Sequence, residues 1–236
     1  MRQSPSLDVH ITGWAHSRFG KLPATLEELV VEVTREALTS AEIEPSDIDA
    51  IYYSHYNGGM HPLTFGAALV LSAGPTPPAT RHGAVRFLGV GHATDHFPAA
   101  KRDPLAFAAG ALAWRRALDM AGVELADLSF LEVHDCFTIA ELVLYETLGL
   151  APAGKGRTLL DDGTVYRDGG LPVNPSGGLK SKGHPVGATG VSQHVLAAMQ
   201  LTGTAGDMQV PDASVAAVHN MGGLAVANHV SVLSAG

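Results

Sequence analysis

Apolar and polar residues alternate in blocks that predict a strand, a helix and a second strand. Val9 to Trp14 is an apolar stretch of strand character, and Thr25, Leu26, Glu27 and Glu28 form a capping-box pattern that opens a helix running to about Ala41. Leu26, Leu29, Val30, Val33, Ala37 and Leu38 fall on one face at helical spacing, so this helix packs on something. Glu44, Pro45, Ser46 and Asp47 then interrupt the pattern before Ile48 to Tyr53, a predicted strand.

The same order returns about 80 residues later, with a strand over Val85 to Val90, a helix from about Asp103 to Ala121 and a strand from about Leu128 to Val133. Ala37, Leu38, Ala41, Glu44 and Asp47 match Ala117, Leu118, Ala121, Glu124 and Asp127 across the helix-to-strand joint, which points to a duplication. Ser72 to Gly83, rich in proline, reads as a junction between the halves. Farther on, Thr138 to Leu148 and Gly187 to Leu201 have helical spacing, Lys155 to Pro172 is a charged loop, and Ser214 to His219 with Leu224 to Leu233 are strands. This mixture predicts an α/β layered fold.

Composition narrows the functional classes. With 15 Lys and Arg against 23 Asp and Glu, the 236-residue chain carries a formal charge of −8, which leaves no broad basic face for nucleic acid. No run approaches the roughly 20 apolar residues of a membrane span. The start lacks the pattern of a secretory signal, and a cytoplasmic location is the expectation. A single cysteine, Cys136, excludes an intramolecular disulfide and a cysteine-based zinc cage. His92 and His96 have a metal-ligand spacing only on a helix; they follow a strand beside Gly91 and Pro98, so no metal site is expected. Gly89-Val90-Gly91 lacks the third glycine of a dinucleotide loop.

The segment from Asn174 to Gly190 holds the most chemistry. Its paired glycines let the backbone turn and approach a ligand closely, and His184 stands at the rim of a helix whose free N–H groups favour developing negative charge. Such an arrangement stabilises an oxyanion. Lys155, Arg157, Arg167, Lys180 and Lys182 outnumber the acids Asp161, Asp162 and Asp168 nearby, a surplus suited to phosphates or to a solvated loop.

Asn174-Pro175-Ser176-Gly177-Gly178 through Gly183-His184-Pro185-Val186-Gly187-Ala188-Thr189-Gly190 resembles the C-terminal signature of the thiolases, and His134-Asp135-Cys136-Phe137 resembles the tetrapeptide of their sterol-carrier-protein type. His219-Asn220-Met221-Gly222-Gly223 resembles a third motif in order. The resemblance is strong over about 84–236 and weaker over 8–71. It implies a layered αβαβα fold with an incomplete first half (1–71), a junction (72–83) and a nearly complete second half (84–236). It implies acyl-CoA acyltransfer, that is, Claisen condensation or thiolysis of coenzyme A thioesters, with no bound cofactor and a homodimeric state.

By the same resemblance His184 is the activating base and oxyanion donor, His134 orients a water in the oxyanion hole, and Cys136 shuttles the proton, facing an imidazole that favours its thiolate. His219, Asn220, Gly222 and Gly223 would support the oxyanion; Asn174, Gly177, Gly178, Lys180, Lys182, Gly183 and Gly187 would line the substrate. The sequence departs from the family at one point. The nucleophilic cysteine is expected after a segment like Asn57-Gly58-Gly59-Met60, yet no cysteine precedes Cys136. The nucleophile's strand and helix, with the lid over coenzyme A, are missing by this reading. A retro-aldol carbon–carbon lyase and a non-catalytic remnant or interaction subunit are the alternatives.

Overall fold

The computed structural model describes residues 7–18, 22–52, 66–74 and 80–236. Six strands form one sheet: β1 (Val9–His16), β2 (Ala67–Ala73), β3 (Val85–Thr94), β4 (Phe130–Val133), β5 (Val215–Gly222) and β6 (Ala227–Ala235), in the spatial order β2-β1-β3-β6-β5-β4. All pairs are antiparallel except β4 with β5. The carboxyl ends of β3, β4 and β5 therefore share one edge of the sheet, and the site lies there.

The longer helices are α1 (Leu26–Ala41), α2 (Ala108–Ala121) and α3 (Thr138–Thr147); α4 (Thr158–Asp161) and α5 (Gly178–Lys182) are single turns, and α6 (Thr189–Leu201) follows the glycine-rich segment. The sheet curls around α6, which touches β2 and β1 on one side and β4, β5 and β6 on the other. Ile11, Trp14, Val85, Phe130, Val218 and Leu233 point inward to meet Val195, Ala198 and Leu201 of α6. On the outer surface α1 covers β1 and β2, and α2 covers β3 and β6. The α/β layered fold expected from the sequence forms as a curled sheet with α6 inside and α1 and α2 outside.

Most predicted elements form. The Thr25 capping box is complete: Glu28 N–H donates to Thr25 Oγ1 at 3.2 Å and Thr25 N–H to Glu28 Oε2 at 2.7 Å. The predicted strand from Ile48 does not form over residues 48–52, where Ile51 and Tyr52 are 82% and 96% exposed. A strand needs a ladder partner for its N–H and C=O groups, and none is present there among the described residues. Tyr53, Asn57 to Met60 and residues 75–79 of the junction lie outside the described residues.

β2 was not anticipated, because Ala67 to Leu71 is too short and uniformly apolar to show a period; Ser72 and Ala73 belong to it. Helix α2 starts at Ala108 rather than near Asp103, since Asp103 Oδ1 accepts the Leu105 N–H in a local turn and Pro104 follows. The charged loop contains α4, and β6 begins at Ala227 because residues 223–225 form a tight left-handed turn.

Candidate active site

Strand β4 delivers the site. Beyond Val133 the chain leaves the sheet as His134-Asp135-Cys136, and three side chains, Asn174 from the segment itself with Asp135 and Glu132 from this end, hold the 174–183 segment in place. Asn174, at φ 52°, accepts the Val133 N–H on Oδ1 at 2.8 Å while its own N–H donates to Leu131 O at 2.7 Å. Asp135 accepts the N–H groups of Leu179 and Lys180 at 2.7 and 3.2 Å, capping α5. Gly177 and Gly178, at φ 86° and 62°, make the turn into α5, and a Cβ on Gly178 would strike the Asp135 carboxylate.

The third clamp is Glu132, fully buried on the α6 side of β4. Ser176 donates to it through Oγ at 2.9 Å and N–H at 3.3 Å, and Lys182 Nζ stands 3.5 Å from Oε2 while donating to Ser176 Oγ at 2.8 Å. Burial raises the Glu132 pKa, opposed by Lys182 and Ser176. Lys182 is therefore committed to a buried carboxylate, its side chain only 7% exposed. Lys180 is exposed. Arg157 and Arg167 face Asp161 and Asp168.

With the segment fixed, His184 meets His134 edge to face, the ring centroids 4.8 Å apart. Thr189, buried at the start of α6, donates its hydroxyl proton to Pro185 O at 3.1 Å. The same oxygen lies 2.9 Å from His184 Nδ1, and the tautomer with the ring proton on Nδ1 satisfies both contacts at once, with Nε2 as a base. Burial lowers the His184 pKa, against Asp135. His134 is lowered to about 4 by burial and then by His184, with Asn220 and Asp135 pulling the other way. Both imidazoles are neutral near pH 7.

Cys136 is half-buried against the α2–α3 core. Burial raises its pKa, opposed by the backbone N–H groups of Phe137 and of Cys136 itself and reinforced by the Asp135 carboxylate. A raised pKa favours the protonated thiol over the thiolate.

The third motif divides between the two faces of β5. Asn220 lies on the α6 face, where a Cβ on Gly190 would stand 2.7 Å from its Nδ2. His219 is fully buried on the opposite face near Asn228 and Gly110, and burial lowers it to about 4. Gly222 ends β5 and Gly223 opens the β5–β6 turn, Gly183 (φ 100°) ends α5, and Gly187 sits in the turn before α6.

Glu132, Asp135 and Thr189 were missed as functional supports. Glu132 had a visible signal, since a carboxylate inside the apolar run Phe130-Leu131-Glu132-Val133 needs a buried partner. Its partner lies 50 positions away.

Residues 91–235 match the family described as Thiolase C-terminal domain-like. The chain belongs to the thiolase family, in its sterol-carrier-protein type. This thiolase-family chain is 50% identical over 108 residues to Sterol carrier protein 2 of Oryctolagus cuniculus, covering 46% of the chain and 20% of that protein. It is 44% identical over 123 residues to an Acetyl-CoA acetyltransferase of Methanothermobacter thermautotrophicus, covering 52% of the chain and 32% of that protein. The matched stretch is thus a third or less of either relative.

Among solved structures the fold matches the Ltp2-ChsH2(DUF35) aldolase with a TM-score of 0.66 at 20% identity, over 90% of this chain and 59% of that one. It also matches the SCP2-thiolase like protein type 1 from Mycobacterium smegmatis with a TM-score of 0.51 at 19% identity, over 72% and 34%. No described helix is long and apolar enough to cross a membrane.

Proposed function

We propose that this chain provides the acid/base machinery of a thiolase-type acyl-CoA acyltransferase but lacks the thiol that would carry the acyl group. The observation that carries this reading is the meeting of His184 with His134, the His184 ring held through Nδ1 by Thr189; in the tautomer with the proton on Nδ1, Nε2 is a neutral base. In this mechanism Nε2 takes an α-proton from an acyl-CoA, the electron pair moves onto the thioester oxygen as an enolate, and His134 with a bound water stabilises that oxygen. The Cys136 thiol supplies the proton when the enolate collapses, and His184 then reprotonates it. Claisen chemistry also needs an acyl-enzyme, and one thiol cannot be acylated and shuttle protons at once. The same reading makes the chain a homodimer, which sedimentation at micromolar concentration tests.

A retro-aldol lyase is the second reading, supported by the single cysteine and by the fold shared with the aldolase. There Nε2 takes the proton of a β-hydroxyl, the carbon–carbon bond breaks to a carbonyl and a thioester enolate, and Cys136 protonates the enolate carbon. No acyl-enzyme forms.

Deuterium exchange into acetyl-CoA reports the enolate step shared by both readings. We expect exchange by the intact chain, a loss of about 10²–10⁴-fold in His184→Ala, and no thiolysis of acetoacetyl-CoA. Cleavage of a β-hydroxyacyl-CoA selects the lyase. An acyl adduct on Cys136 that coenzyme A discharges overturns the proposal.

A further inference from the structure

We propose that Ser231 and His194 form a separate acyl-transfer site, in which the Ser231 hydroxyl takes the acyl group of a small carboxylic ester or thioester and passes it to water. This site does not rest on the chemistry proposed for His184. Strand β6 and helix α6 bring together two side chains 37 positions apart, with His194 Nε2 3.0 Å from Ser231 Oγ. On the other side of the ring, His194 Nδ1 lies 2.7 Å from the carbonyl oxygen of Gly190, one turn earlier in α6. A carbonyl oxygen only accepts, so Nδ1 carries the ring proton, Nε2 keeps its lone pair and the serine hydroxyl donates to it. Nucleophile, base and a third group that orients the base is the order that activates a serine. Burial lowers the His194 pKa, against the Gly190 hydrogen bond, which favours the neutral imidazole that a base requires.

Ser231 sits where the inner face of the sheet emerges from under α6. Leu233, two residues on, and Val218, opposite on β5, are buried; Val90, opposite on β3, is 40% exposed, and His229, two residues back, is exposed. Ser231 itself is half-buried, at the border between the two. A second pair has the same geometry without the opening: His16 Nε2 lies 2.8 Å from Ser192 Oγ and Nδ1 3.0 Å from Ser17 O, but Ser192 is only 2% exposed. At Ser231, Oγ attacks the acyl carbon as its proton passes to Nε2. The bond from that carbon to the leaving sulfur or oxygen breaks, and the leaving group takes the proton. Water then attacks the acyl-serine with Nε2 as base, which releases the carboxylic acid and restores the hydroxyl.

The test is incubation of the full chain with p-nitrophenyl acetate, read by nitrophenolate release and by peptide mapping of the acetyl group. The acetyl group should map to Ser231, and Ser231→Ala and His194→Gln should each lower the rate by about 10²-fold or more. Ser192→Ala, which breaks the enclosed pair, should leave the rate unchanged. Mapping of the unsubstituted chain needs no variant, and Ser231→Cys, which keeps a nucleophile beside His194, should take the acetyl group at the same position. Acetyl found only on lysines or on Cys136 overturns the proposal. So does an unchanged rate in Ser231→Ala, or a loss in Ser192→Ala equal to that in Ser231→Ala.

Discussion

In residues 9–47, strand β1 carries a bulge between Ile11 and Gly13, Gly13 lets the strand approach Ala37 and Ala41 of α1, and a left-handed Glu42 leads into a 3-10 turn capped by Asp47 on Glu44 N–H at 2.9 Å. In residues 85–127, strand β3 carries its bulge between Phe87 and Gly89, Gly89 meets Ala117 and Ala121 of α2, and a left-handed Gly122 leads into a 3-10 turn capped by Asp127 on Glu124 N–H at 2.7 Å. Up to this point the two units are built alike. The second then enters β4, pairs with β5 and presents His134, Asp135 and Cys136; the first runs on through exposed Ile51 and Tyr52. Local sequence is enough to make a bulge, a close helix contact and a capped turn. A strand that carries catalytic groups also requires a neighbour to pair with.

The largest expected effect compares the titration of the two units. His16 closes β1 and His134 follows β4, and burial lowers both to about 4, as it does His219 on β5. The unfolded chain holds these histidines near 6.5, so between pH 6.5 and 4 it binds more protons than the folded chain, and stability rises with pH. The contribution is complete above pH 6.5 and is lost as pH falls through that window. For fully buried His219 it amounts to about 3 kcal/mol. Urea denaturation from pH 7.5 to 4 should show the decline, and His219→Gln should flatten it; an unchanged slope in that variant would mean His219 is not neutral and enclosed in the fold.

Next come the glycines at the strand–helix contacts. Gly13→Ala and Gly89→Ala each place a methyl against the backbone of the covering helix and should cost about 1–3 kcal/mol. Equal costs in chemical denaturation confirm that the two units pack alike. If Gly13→Ala proves neutral, the first unit is loosely held and the likeness ends at local geometry.

The smallest effect belongs to the point where the units diverge. Tyr52→Ser should change stability by less than about 0.5 kcal/mol, because that side chain is 96% exposed. Leu131→Ala, in the corresponding strand of the second unit and wholly buried, should cost about 2–5 kcal/mol. A cost near 2 kcal/mol for Tyr52→Ser would mean that the tyrosine is covered in solution, by a second copy if the cost grows with protein concentration.

The amino-acid sequence by itself determined what depends on neighbours along the chain. The Thr25 box, the helical faces of α1 and α6, the two matching joints and the three motifs are local patterns, and each is visible without knowing where the chain travels. The tertiary structure alone decided which strands pair, so residues 48–52 have no ladder among the described residues while β2 gains one. It decided that Lys182 answers the buried Glu132 and that Cys136 lies half-buried against the α2–α3 core. It also turned His219 and Asn220 to opposite faces of β5 and set His92 beside His229. These outcomes turn on desolvation and on contacts between residues tens of positions apart, and both come into being only when the sheet closes around α6.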